Sequence, residues 1–222
     1  MNPMTYAAGQ TLTQVFPQVG MLSAIYLSVA GLLTYSSAGT LSDQGPWNLF
    51  SRLQVLTNIG SAVLVDLSGF SAYLVQQLIG SGNYRPDVAG AGATTASTQI
   101  FSWPLSGTGV AFRLSYILPI GAHDGINFDT GLINLQAPQP QVTLSLQCGQ
   151  ITDPATNITA LTATISVGYM YYEIPDLSMF QLPPLSLVRT LENQIPVAST
   201  GEQVYTLPPM GTILQQIMCL TL

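Results

Sequence analysis

Charge is what this chain has least of. Only 6% of its 222 residues are Asp, Glu, Lys or Arg, against about 25% in an ordinary soluble domain. Lysine is absent, and the cations are Arg52, Arg85, Arg113 and Arg189. With a formal net charge of −6, the chain lacks the clusters of basic residues that neutralise phosphates. Sequence-specific nucleic-acid binding is therefore not expected, and neither is electrostatic attachment to an anionic membrane. The surface must be built from Gln, Asn, Ser, Thr and Gly. Such a surface repels its own copies weakly, which points to life in an assembly.

Other absences narrow the chemistry. No run of 18 apolar residues occurs, so a spanning helix is not expected. Cys148 and Cys219 are the two cysteines. They lie far apart and form no metal spacing or CxxC motif. Cys148 falls in the apolar phase of a strand and reads as a buried free thiol; the redox compartment stays open. His123 is the one histidine. Its neighbour Asp124 points away from it in any extended backbone, and no G-x-S-x-G elbow is present, so no hydrolase triad is expected. Asp124, Asn127 and Asp129 crowd one loop without EF-hand spacing, and a simple turn explains them better than an ion. Asp66 is the one acid placed suggestively in mid-strand. Asn157-Ile158-Thr159 fits the glycosylation acceptor pattern. Tyr169, Tyr171, Tyr172, Trp47 and Trp103 are candidates for a sugar platform, but Tyr169 and Tyr171 share the core phase of their strand. No residue is put forward as catalytic, cofactor-binding or metal-binding, no cofactor is expected, and the chain reads as a non-enzyme.

What the chain does have is period-two patterning. Val110 to Leu118, Val142 to Cys148 and Leu161 to Tyr171 alternate apolar with polar or small residues, as strands with one buried face do. Phe16 to Thr34 is the longest nearly charge-free run. It is short for a membrane helix and lacks the basic leader of a signal peptide. It reads as a long strand, or a strand bulged near Gly31. Trp47 to Leu56 reads as a strand or one helical turn, and Ser61 to Leu67 as a short strand. Ser68 can cap a short helix with Phe70, Tyr73, Leu74 and Leu78 on one face, stopped by Gly80. The stretch from Gly80 to Ser97 reads as a surface loop. Pro183-Pro184 opens a second helical piece with Leu187, Val188, Leu191 and Ile195 on one face, and Gln203 to Leu222 is again strand-like. Strands that do not alternate with long helices suggest an all-β sandwich or jelly roll, with short helices.

The expected organisation is an N-terminal arm over 1–14 that orders on assembly, a barrel over 15–178, a linker with a short helix over 179–200, and over 201–222 the start of a second barrel or a strand that pairs with a partner. Leu207-Pro208-Pro209-Met210-Gly211 echoes Phe16-Pro17-Gln18-Val19-Gly20, as a repeat would.

The apolar strand after Pro-x-Val-Gly, the Gly45 to Leu49 turn, Arg52-Leu53-Gln54-Val55, the Leu67 to Phe70 helix start, the Tyr171 to Pro175 exit and the Thr200-Gly201…Tyr205 to Pro208 restart together make a pattern. It resembles the jelly-roll major capsid proteins of tailless, icosahedral, double-stranded DNA bacteriophages, many of which enclose a membrane. The resemblance implies one jelly roll or the first of two, homotrimeric capsomers with lateral contacts, and minor capsid or vertex proteins and an internal membrane as further neighbours. The chain is short for a double barrel, so it is either a single barrel or part of a longer protein. A carbohydrate-binding surface protein, lectin or adhesin, is the alternative on the same fold.

Overall fold

The computed structural model describes residues 1–58, 62–79, 103–121, 131–135, 141–173 and 189–193. Two sheets, each of five strands, face each other across one apolar core. The strands are β1 (Met4–Thr5), β2 (Thr11–Val15), β3 (Met21–Tyr35), β4 (Phe50–Thr57), β5 (Ala62–Leu67), β6 (Val110–Pro119), β7 (Ile133–Asn134), β8 (Val142–Cys148), β9 (Ile158–Tyr172) and β10 (Thr190–Leu191). The first sheet runs β1-β9-β3-β6, with β7 on the end of β3. The second runs β10-β5-β4-β8-β2.

Setting aside the two-residue strands β7 and β10, the chain crosses repeatedly between sheets. β1, β3, β6 and β9 go to one sheet; β2, β4, β5 and β8 go to the other. Consecutive strands are thus mostly not neighbours, and each sheet interleaves early with late strands. This is the jelly roll, two antiparallel sheets wound as paired Greek keys. Only β10 breaks the antiparallel pattern, by lying parallel to β5.

The strands form where the alternation predicts. Phe112, Leu114, Tyr116 and Leu118 of β6 are buried, as are Val142, Leu144, Leu146 and Cys148 of β8 and Ala163, Ile165 and Val167 of β9. β3 departs from strict alternation because its first five residues are buried on both faces. The register with β9 slips there: Leu22 pairs with Tyr171 and Ala24 with Met170, leaving Ser23 as the extra residue. The Ser23 carbonyl accepts from the N–H groups of Ile120 and Gly121 (2.9 and 3.2 Å). The bulge in β3 therefore lies at Ser23; a second register shift, at Thr34 and Tyr35, leaves Thr159 of β9 as the extra residue. Gly31 answers a different need. A side chain there would run into the Thr162 carbonyl and the Phe112 ring, so glycine lets β9 approach closely.

Three expectations are corrected. Residues 1–14 are not an arm awaiting assembly: β1 pairs with β9, β2 pairs with β8, and buried Tyr6 donates to the Gly149 carbonyl at 2.6 Å. They supply the first strand of one sheet and the outermost of the other. The stretch around Leu191 is not helical. Thr190–Leu191 is a strand on β5, held by the Glu192 N–H on the Asp66 carbonyl (2.9 Å) and by the Glu192 carboxylate accepting from the Ser68 N–H (2.5 Å). Pairing to an open strand edge wins over local helical spacing.

The third correction is the helix face. The short helix α1 (Gly69–Ile79) starts as expected, with Ser68 Oγ accepting from the Ser71 N–H at 3.1 Å. However, it buries Ala72, Val75 and Gln76, while Phe70, Tyr73 and Leu74 are only half-buried. The turn is set by two contacts. Tyr73 stacks on the buried Trp47 at 4.1 Å, and Gln76 Oε1 accepts from the Ile117 N–H of β6 at 3.1 Å. Trp47 to Leu56 holds both expected forms: a 3-10 turn (Trp47–Leu49) followed by β4.

Residues 1–192 form one unit. Residues 193–222 form another, of which Asn193 alone is described. The loop from Gly80 to Ser97, the helix opened by Pro183-Pro184, the strand from Gln203 and the repeat at Leu207 to Gly211 lie outside the described residues.

Candidate assembly surface

Several of the described chemistry-bearing side chains have structural tasks. Asp66 is engaged by Arg52, whose Nε and terminal nitrogen donate to the two carboxylate oxygens at 2.6 Å each. That pairing holds the Arg52 guanidinium yet more firmly protonated than usual. Cys148 is a buried free thiol, pushed up in pKa by its burial, so it is a poor thiolate nucleophile at neutral pH. Tyr6 and Tyr116 are likewise raised, chiefly by desolvation. Their hydroxyls donate to the carbonyls of Gly149 and Trp47. Among the described residues, no three His, Cys, Asp or Glu side chains are grouped to hold a metal. His123, Asp124, Asn127, Asp129 and Cys219 lie outside the described residues.

The aromatic candidates are for the most part turned into the structure. Trp47 and Trp103 are buried. Tyr169 and Tyr171 stack on each other at 5.3 Å, and Phe16 meets Tyr169 edge-on at 5.6 Å. Tyr172 is the exposed one of the set. Asn157 adopts a left-handed backbone (φ 63°) and donates through Nδ2 to the Ala38 carbonyl at 2.8 Å, so the first residue of the acceptor-like triplet makes a turn and the other two begin β9.

What remains among the described residues is surface with little charge. On the outer side of the first sheet, Ser28 pairs with Ser166 and with Ser115, which is itself buried, and Ala30 pairs with Arg113 and Thr164. Arg113 is the one charge in those rows. On the outer face of the second sheet, Thr13, Ser145 and Gln54 stand side by side before the Arg52–Asp66 pair. Both broad faces are thus almost uncharged among the described residues, and the first also carries the exposed Leu32 and Tyr172. Such faces bury against a partner without stripping water from many charges. No described helix is long and apolar enough to cross a membrane.

No protein-family model and no curated protein matches the chain. Solved structures do. The crystal structure of the major capsid protein of Sulfolobus turreted icosahedral virus aligns over 78% of this chain at 17% identity, with a TM-score of 0.53. The atomic structure of that virus aligns over 78% at 16% identity, with a TM-score of 0.51. The chain spans 46% and 43% of those chains' own lengths. At this identity the likeness is one of fold: a viral jelly roll.

Proposed function

We propose that this chain is a structural virion protein, a major capsid subunit that works by self-association and not by catalysis. The observation that carries the reading is the strand order. Two interleaved antiparallel sheets, with β1, β9, β3, β6 in one and β2, β8, β4, β5 in the other, match a viral capsid protein over most of the chain. The nearly uncharged faces support it, because subunits of like net charge must meet where that charge is not.

On this reading the subunits build homotrimeric capsomers of an icosahedral shell, with minor capsid or vertex proteins and an internal membrane as neighbours. The virion would be that of a tailless double-stranded DNA virus; the matched solved structure comes from a virus of Sulfolobus, so the bacteriophage lineage is the finer part of the proposal. The test is electron microscopy of the purified protein over a range of salt. Closed particles or uniform capsomers that survive added salt are expected, because few ion pairs are available to be screened. A monodisperse monomer at every concentration would contradict the reading.

A further inference from the structure

The barrel has two lateral sides, and they are finished differently. At β6, Gln76 of α1 accepts from the Ile117 N–H and so covers the strand edge. At β5, β10 adds as a further strand. The other side carries β9 and β2, and there the edges stay open among the described residues.

β9 runs 15 residues, and β3 pairs with it along nearly all of them. On its other edge, β1 meets it only at Thr164 and Ile165, with the Tyr6 N–H reaching the Ala163 carbonyl at 2.9 Å. In an antiparallel ladder the backbone groups of alternate residues point to the same side. Those of Val167, Tyr169 and Tyr171 therefore point where β1 no longer runs. β2 is open in the same way. Gln10 and Phe16 bond to β8, so Thr11, Thr13 and Val15 turn their backbone groups outward.

Exposed apolar residues gather on this side. Of the six large hydrophobic residues that are exposed among the described residues, Met1, Val15, Val19 and Tyr172 belong to it. Val15 ends β2, and Val19 adjoins Gly20, whose backbone lies against Tyr171 and Tyr172. Gln14, next to Val15, donates to the Asn2 carbonyl at 3.4 Å, which brings the chain start there too. An edge strand is ordinarily blunted by Lys, Pro or a charge pointing inward. The stretch from Ser166 to Tyr172 has none of these.

We propose that this side is a docking surface for a second copy of the chain, which adds its own β9 antiparallel to this one, centred on Tyr169. This inference rests on the proposed capsid function. Three observations choose the occupant. The open edge carries no charge from Ile158 to Tyr172, so two copies of net charge −6 meet here without repulsion. The opposite side is covered, so the open side has its own counterpart as the matching surface, and the contact closes as a two-fold. Finally, the register is self-complementary. Centring on Tyr169 sets Tyr169 opposite its own copy, where the two rings can pack, and on either side sets Val167 opposite Tyr171, Gly168 opposite Met170 and Ser166 opposite Tyr172, each a smaller side chain against a larger one. β1 at Ile165 limits the pairing at each end. A two-fold contact of this kind joins capsomers; it does not build them.

Hydrogen exchange on the assembled protein and on subunits dissociated in mild denaturant tests this. The amides of Val167, Tyr169 and Tyr171 should exchange about tenfold or more slowly in the assembly. In parallel, Gly168→Cys/Met170→Cys should form an intermolecular disulfide that doubles the denatured mass, since those residues would face each other across the two-fold. Assemblies whose three amides exchange as in the subunit, with no cross-link, overturn the docking surface and leave the capsid reading standing. Protection already present in the isolated subunit also overturns it, since the edge would then be covered within one chain. Absence of any assembly overturns both.

Discussion

The closed side of the barrel is covered, β5 by the short strand β10 and β6 by the Gln76 side chain, whereas the open side, at β9 and β2, ends in bare backbone among the described residues. On the closed side Trp47 binds α1 to the core by stacking on Tyr73 and meeting Tyr116 edge-on at 5.6 Å. On the open side the outermost strands, β1 and β2, are short. The difference teaches where stability and assembly are divided. Changes on the closed side should cost the fold, and changes on the open side should cost association while sparing it.

The largest expected effect breaks the closed side. Trp47→Ala removes the ring between α1 and Tyr116 and should cost about 3–5 kcal/mol of unfolding free energy, read by denaturant titration of the dissociated subunit. A loss under about 1 kcal/mol would mean that α1 is not anchored through Trp47. Gln76→Leu is milder. It keeps the helix but leaves the Ile117 N–H without its acceptor, at a cost of about 1–3 kcal/mol. Faster exchange at the Ile117 amide should accompany it; unchanged exchange would show that the edge is covered by something else.

Alkaline pH acts on both sides at once. Tyr116 near the closed side, and Tyr6 and Cys148 near the open one, all have raised pKa values from burial. A raised value means the folded state holds the proton more tightly than the unfolded chain does. The stability is therefore complete below the ordinary 9.0 of cysteine and 10.0 of tyrosine, and it is lost as pH rises past them. The melting temperature should fall between about pH 9 and about pH 11, and Tyr6→Phe should blunt that fall. A flat profile over this interval would contradict the burial of these groups.

The smallest effect on the fold sharpens the comparison most. Val15→Ser with Tyr172→Ser should leave subunit stability within about 0.5 kcal/mol per site, as exposed substitutions do. Self-association, read by sedimentation, should drop markedly. Equal association in the variant would remove the open side from the assembly contacts.

Much of the fold was legible in the sequence, for a physical reason. β6, β8 and β9 each bury one face against the opposite sheet, so their alternation is written into the residues, while β3 showed through its length and its strand-favouring residues. β1 and β2 were not legible because they are short and their pattern is blurred. In β2 the inward positions hold Leu12 and Gln14, while Val15 points out and is 50% exposed. An edge strand that keeps an apolar residue outside and an amide inside does not look like a strand. Leu191 misled in the other direction, since its helical spacing was real and pairing with β5 overrode it. Gly31 was noticed, but the need it serves, the close approach of Thr162 and Phe112, belongs to residues distant in sequence. For the candidate surface, low charge was the legible part. Which side is open depends on strand order, which no local pattern encodes.

Native mass spectrometry of the protein, with a denatured run beside it, tests the central claim most directly. The account predicts a closed oligomer or larger shell built from copies of this chain. A stable monomer of 23.6 kDa across the accessible concentration range would contradict it.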